Sequence, residues 1–161
     1  MGTSFWLTVG ISALIGACLT GLWNIVKDIL SRRAEAKALE NGLIAEVKSL
    51  SHLLQVRRYK MELEDTLQEM IENDLETIEF SVFIHENYNP VYKANVQKIG
   101  MLNNELSEDI VKFHAYLFAF ACDLHEQSML AKDGYTQDAL KEMVQILNEA
   151  EVLSDKIAAY K

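Results

Sequence analysis

Histidine, cysteine and carboxylate are where chemistry would have to start in this chain, and their spacing offers little to start it with. Cys122 and His125 stand three residues apart, a step that sets two metal ligands on one helix face. No second pair of similar kind accompanies them, and two ligands do not make a site. His114 and His125 fall on one side of the same expected helix but about 16 Å apart along it, too far to share an ion. His52 and His85 stand singly, and a lone histidine on a half-apolar face is usually a hydrogen-bonded boundary residue. Acids such as Glu62, Asp65 and Glu69 need only be the wet face of an amphipathic helix. No glycine-rich phosphate loop follows a strand, and neither Gly-x-Ser-x-Gly nor His-Glu-x-x-His occurs. The expectation is a non-enzyme with no catalytic residue, no metal and no cofactor. Its rival, a hydrolase or metalloenzyme, needs a buried cluster of histidine and acids from separate helices.

The elements around these residues say more. From Ser4 to Val26 run 23 residues without a Lys, Arg, His, Asp or Glu, about 34 Å as a helix and enough to cross a hydrocarbon core. Ahead of Phe5 the only positive charge is the amino group, unlike the basic start of a secretory signal, so a retained transmembrane helix over residues 4–26 is expected. Ile15-Gly16-Ala17-Cys18 looks like a lipoprotein processing box, but the apolar run continues past it through Leu22, Trp23 and Val26. A buried core helix is disfavoured by the length, and by Trp6 and Trp23 near opposite ends, where indoles prefer headgroups.

Lys27, Arg32, Arg33 and Lys37 follow the span. They are expected at the membrane surface and hold the C-terminal bulk in the cytoplasm, leaving residues 1–3 as an outer tail on a bacterial inner-membrane protein. Cys18 and Cys122 make no disulfide framework, in keeping with a reducing compartment. Within the span, small residues recur every four positions in two rows, Ser12/Gly16/Thr20 and Ala13/Ala17/Gly21. Such rows let helix backbones approach closely in lipid, which predicts a homo-oligomer or a partner helix.

Residues 27–161 read as one helical domain, so the fold class is all-α: a single span, then a cytosolic bundle with one long membrane-proximal helix. Residues 27–60 carry eight Lys or Arg against four acids, and residues 61–161 seven against twenty. The basic part begins at the membrane, and the acidic part would repel a phosphate backbone, so lipid bilayer is the expected partner and nucleic acid is not.

Leu39, Leu43, Val47, Leu50, Leu54, Met61 and then Leu67, Ile71 and Leu75 mark one side of a long helix, with Asn41-Gly42 a place for a kink. Arg57 interrupts this seam, either reaching an acid on a neighbouring helix or laying its stem along the seam with its head in water. Phe80, Val82 and Ile84 alternate like a strand with no partner strand elsewhere, so an extended connector is expected near 79–89. Pro90 then starts a short helix that Gly100 stops in a left-handed conformation. Asn103 caps a helix over 104–131, buried through Ile110, Phe113, Leu117, Phe120, Ala121 and Leu124, with Tyr116 and Phe118 widening its apolar face. Asp133-Gly134 closes it, and Thr136 caps a last helix packed through Leu140, Met143, Val144, Leu147, Ala150 and Ile157.

The run NPVYKANVQKIGMLNNELSEDIVKFHAYL, residues 89–117, resembles a signature of small single-span membrane proteins of bacteria and their prophages, V-Y-x-x-N-x-x-x-I-G-x-L followed by a helix with I-V-x-F-Y. Val91, Tyr92, Asn95, Ile99, Gly100, Leu102, Ile110, Val111 and Phe113 carry the match, and LIAEVKSL at 43–50 resembles that family's first cytosolic helix. Asn104 stands where the family has proline, and His114 where it has tyrosine. The resemblance implies a compact helical fold and a bacterial or phage source, and nothing catalytic. Tyr92, Asn95 and Gly100 read as a structural turn, or alternatively as the edge of a groove for a protein partner. The expected function is a membrane-anchored, self-associating helical scaffold, with phage exclusion or defence suggested by the family context. The alternative is an oligomeric pore gated by the bundle, for which Thr8, Ser12, Thr20 and Asn24 are the polar residues available to line water.

Overall fold

The structure, a computed structural model, describes residues 3–79 and 87–160, with residues 3–19 described by their backbone alone. Helix accounts for 82% of it, so the all-α class stands. The chain divides into two units, Met1–Ala38 and Leu39–Lys161. α1 runs Thr3–Val56, and it is α-helical through Asn41-Gly42. Among the described residues no helix is long and apolar enough to cross a membrane. Most of the span expected over 4–26 falls on residues whose side chains lie outside the description.

Leu39–Lys161 is built around α4 (Asn104–Asp123) and α6 (Gln137–Ala158), which pack along each other. Two apolar clusters hold them. In the first, Leu39, Leu43, Val47 and Leu50 of α1 meet Leu106, Ile110, Phe113 and Leu117 of α4 and Ala150 and Ile157 of α6. The steps of three and four that mark one helix face therefore do bury that face. In the second, Leu63 and Met70 of α2 (Tyr59–Glu72) join Phe120, Leu124, Tyr135, Leu140, Met143 and Leu147.

The long seam read over residues 39–75 is not one helix. α1 ends at Val56, and Arg58 takes a left-handed conformation (φ 56°) before α2 begins. That reversal lets Leu63 and Met70 reach the second cluster, whereas a continued helix would carry them away from it; Ile71 is left half-exposed. Arg57 lies exposed in this turn, off any seam.

A short strand pair, which no alternation in the sequence announces, has its first strand just before the strand-like run at 80–84, itself outside the described residues. β1 (Thr77–Ile78) pairs antiparallel with β2 (Tyr135–Thr136), Thr77 opposite Thr136 and Ile78 opposite Tyr135. Gly134, at φ 87°, makes the turn into β2, and a Cβ there would sit 2.9 Å from Thr77 Cβ. Only a residue without a side chain fits both demands. Most of the connector expected near 79–89, residues 80–86, lies outside the described residues.

α3 (Pro90–Asn95) opens on proline as expected. It passes into a 3-10 turn, Val96–Met101, that contains Gly100. Gly100 is not left-handed. The chain leaves that turn through Leu102 in extended conformation, its N–H bonded to the Ile99 carbonyl, so the glycine stop is unnecessary. The helix expected over 104–131 ends at Asp123. Leu124 turns inward, Ser128 donates to the Asp123 carbonyl, and its hydroxyl accepts from Ala131 N to cap α5 (Met129–Asp133). Both expected N-caps are present, Asn103 accepting from Glu105 N and Thr136 from Ala139 N.

Candidate functional site

The polar centre of this unit starts from an acid on the apolar face of α1. Glu46 lies among Leu43, Val47 and Leu50 and is 8% exposed. Its carboxylate accepts two backbone hydrogen bonds, Val91 N to Oε1 at 2.7 Å and Tyr92 N to Oε2 at 2.8 Å. These amides belong to the first turn of α3, where a helix leaves its N–H groups unsatisfied and its dipole favours negative charge. Pro90 has no N–H to spare, so Glu46 caps the next two donors from another helix.

His114 on α4 completes the cluster at 2% exposure. Its ring stacks on Tyr92 (centroids 3.9 Å apart, planes 23° off parallel) and stands edge-on to Phe113. Nδ1 faces the Asn89 side-chain nitrogen at 3.5 Å. With Nδ1 accepting from that amide, the assigned tautomer carries its proton on Nε2, which points to Glu46 Oε2 at 3.7 Å, beyond hydrogen-bond reach. Among the described residues, His114 Nε2 and Asn89 Oδ1 have no hydrogen-bond partner. Burial pushes the imidazole down from 6.5 to about 4, so His114 is neutral at pH 7.

Outside this cluster opens a groove of about 780 Å³. Tyr88, Tyr92 and His114 line it together with Val111, Ala115 and Phe118 of α4, and Cys122 and His125 extend it. Phe118 is 63% exposed: the broad apolar face expected of this helix is real, but at Phe118 it is open to solvent. Among the described lining residues there is no carboxylate, in a chain with 24 of them. Burial, with the neighbouring Cys122 sulfur next in weight, pushes the Tyr88 phenol up to about 12, so it remains a hydrogen-bond donor. Burial also raises Tyr92. Aromatic walls suit the groove to binding, and behind it Glu46 and His114 bring one acid and one histidine from separate helices together, short of hydrogen-bond distance.

A second polar knot is structural. Asp109, 5% exposed, receives Lys156 Nζ at 2.9 Å and the Tyr160 hydroxyl at 3.3 Å, and Lys156 also reaches Glu105 at 3.0 Å. The hydrogen bonds to Asp109 and Glu105 raise the Lys156 ammonium above its ordinary value. The knot ties the C-terminal end of α6 to the first turns of α4.

The residues singled out in the sequence are divided by the structure. Tyr92 enters the buried cluster. Asn95 donates its side-chain amide to the Val91 carbonyl at 2.9 Å, satisfying α3's own backbone. Gly100 is exposed and takes no part. Thr20, Gly21, Lys27, Arg32, Arg33 and Lys37 are exposed on α1, and the side chains of Ser12, Ala13, Gly16 and Ala17 lie outside the described residues. Cys122 and His125 straddle the end of α4, where His125 Nδ1 accepts from Gln127 N, and among the described residues no three potential metal ligands gather. Sequence reasoning missed Glu46 and did not pair His114 with Asn89. The available signal was an acid standing at the step of three between Leu43 and its next apolar neighbours. Comparisons with known families, curated proteins and solved structures find no match for this chain.

Proposed function

We propose that this chain is a membrane-anchored helical interaction protein that self-associates through its N-terminal helix and holds its C-terminal bundle on the cytoplasmic side. One observation carries the reading. Leu22, Trp23, Ile25, Val26, Ile29 and Leu30, at the end of the uncharged stretch Ser4–Val26 and just beyond it, are between 46% and 69% exposed. Six large apolar residues in nine positions are costly to leave in water, and lipid is the solvent in which they carry no penalty. The cations that follow give the orientation. In this reading the small-residue rows mediate assembly and the open aromatic groove on α4 receives a protein partner. A role in phage exclusion or defence rests on the resemblance of residues 89–117 alone.

The test is extraction of the full-length protein from membranes. The anchor predicts that it stays in the pellet at alkaline pH and leaves only with detergent; release by alkali refutes it. Sedimentation of the detergent-extracted protein then reads assembly, which Gly16→Leu with Ala17→Leu is expected to weaken. An unchanged oligomer moves association to the bundle.

A further inference from the structure

The exposed apolar residues of α1 are not spread evenly round the helix. At about 100° per residue, Leu22, Val26, Ile29 and Leu30 fall in one arc, with Trp23 and Ile25 at its margins. Gly21, Asn24, Asp28 and Ser31 take the opposite side, with Lys27 nearer to them than to the arc. The arc does not stop where the uncharged stretch stops at Val26; it continues for one more turn on a single side. On the next two turns the same side carries Arg33 and then Lys37, both exposed. Arg32, adjacent in sequence, stands about 100° away from the centre of the arc.

A line of large apolar side chains passing into cations along the same face fits one kind of surface: acyl chains beneath anionic headgroups. Charge favours this occupant over the same face of a second copy, which would set Arg33 and Lys37 against Arg33 and Lys37. Residues 27–60 hold eight Lys or Arg against four acids, so this collar matches an anionic leaflet. We propose that the Leu22–Lys37 face is a lipid-docking surface selective for anionic headgroups, read by Arg33 and Lys37 rather than by the whole basic cluster. The proposal rests on the membrane-anchor reading and adds to it a lipid class and a helix face.

The experiment uses full-length protein carrying Trp6→Phe, so that Trp23 is the sole indole, reconstituted into mixtures of brominated phosphatidylglycerol and brominated phosphatidylcholine. Quenching of Trp23 by each lipid gives their relative binding constant. The expected result is a preference for phosphatidylglycerol that falls about fivefold in Arg33→Gln and about thirtyfold in Arg33→Gln with Lys37→Gln, but less than about twofold in Arg32→Gln. Equal losses in Arg32→Gln and Arg33→Gln would reduce the effect to bulk charge and overturn the face assignment. So would the absence of any preference in the unsubstituted protein. Vesicle flotation separates the two ways of failing. Protein that floats with Trp23 unquenched has that face covered by another copy, which sinks the docking surface and spares the anchor. Protein that does not float sinks both.

Discussion

Replacing His114 by phenylalanine isolates the cost of burying a neutral imidazole. In the unfolded chain this group takes up a proton below its ordinary pKa of 6.5, and in the folded chain only below about 4. Between those values the unfolded state binds the extra proton, so acid draws the equilibrium toward unfolding. The contribution is fully present above pH 6.5 and is lost as the pH falls to about 4. The gap corresponds to about 3 kcal/mol, at about 1.4 kcal/mol for each tenfold change in proton affinity. Glu46 Oε2 at 3.7 Å makes this an upper value, because the carboxylate would partly welcome a charged ring. Phenylalanine keeps the stack on Tyr92 and cannot titrate. Urea denaturation of the detergent-solubilised full-length protein, from about pH 7 to about pH 4, gives stability against pH for both forms. His114→Phe will be less stable at neutral pH, having lost its contact with Asn89, yet its curve is expected to be flatter by about 2 to 3 kcal/mol across the window. Parallel curves would refute the reasoning, since carboxylates that titrate in the same range are common to both proteins.

Glu46→Gln leaves one acceptor oxygen for two helix amides and is expected to cost about 1–3 kcal/mol, read as a lower denaturation midpoint; an unchanged midpoint would deny the capping role. Gly134→Ala forces a side chain into a left-handed turn against Thr77 and should destabilise by more than about 1 kcal/mol. Gly100→Ala meets nothing within 4 Å and lies at no positive φ, so thermal unfolding should show it neutral or slightly stabilised.

How much of this was legible follows from what each signal depends on. Helix faces depend on local period alone, and Leu39 to Leu50, Ile110 to Leu124 and Leu140 to Ile157 were readable from it. Caps depend on one residue and the next three, so Asn103 and Thr136 were readable too. The reversal at Arg58 was not, because nothing local demands a left-handed arginine; it is imposed by the place that Leu63 and Met70 find against α4 and α6. The β1–β2 pair was hidden for a similar reason, since two residues on each side carry no alternation to detect. Within the site, Tyr92 and Asn95 stood out by resemblance, and His114 by its type. Glu46 looked like an ordinary helix acid, and its meaning appears only when the first turn of α3, 45 residues later, is laid against it.

The two apolar clusters are not equal tenants of the bundle. α4 and α6 serve both, α1 supplies the first and α2 the second, with Leu54 touching each. α2 is held by the buried Leu63 and Met70, by the partly buried Tyr59 and Leu67, with Tyr59 edge-on to Phe120, and by the Lys60–Glu151 pair at 3.1 Å, which is one-third open to water. With fewer fully buried side chains than the α1–α4–α6 spine, α2 is the helix expected to peel back first, about Arg58. Amide exchange should then fall into two tiers, faster from Tyr59 to Glu72 and slow along α4 and α6. A chain built this way sheds a leaf before it loses its stem.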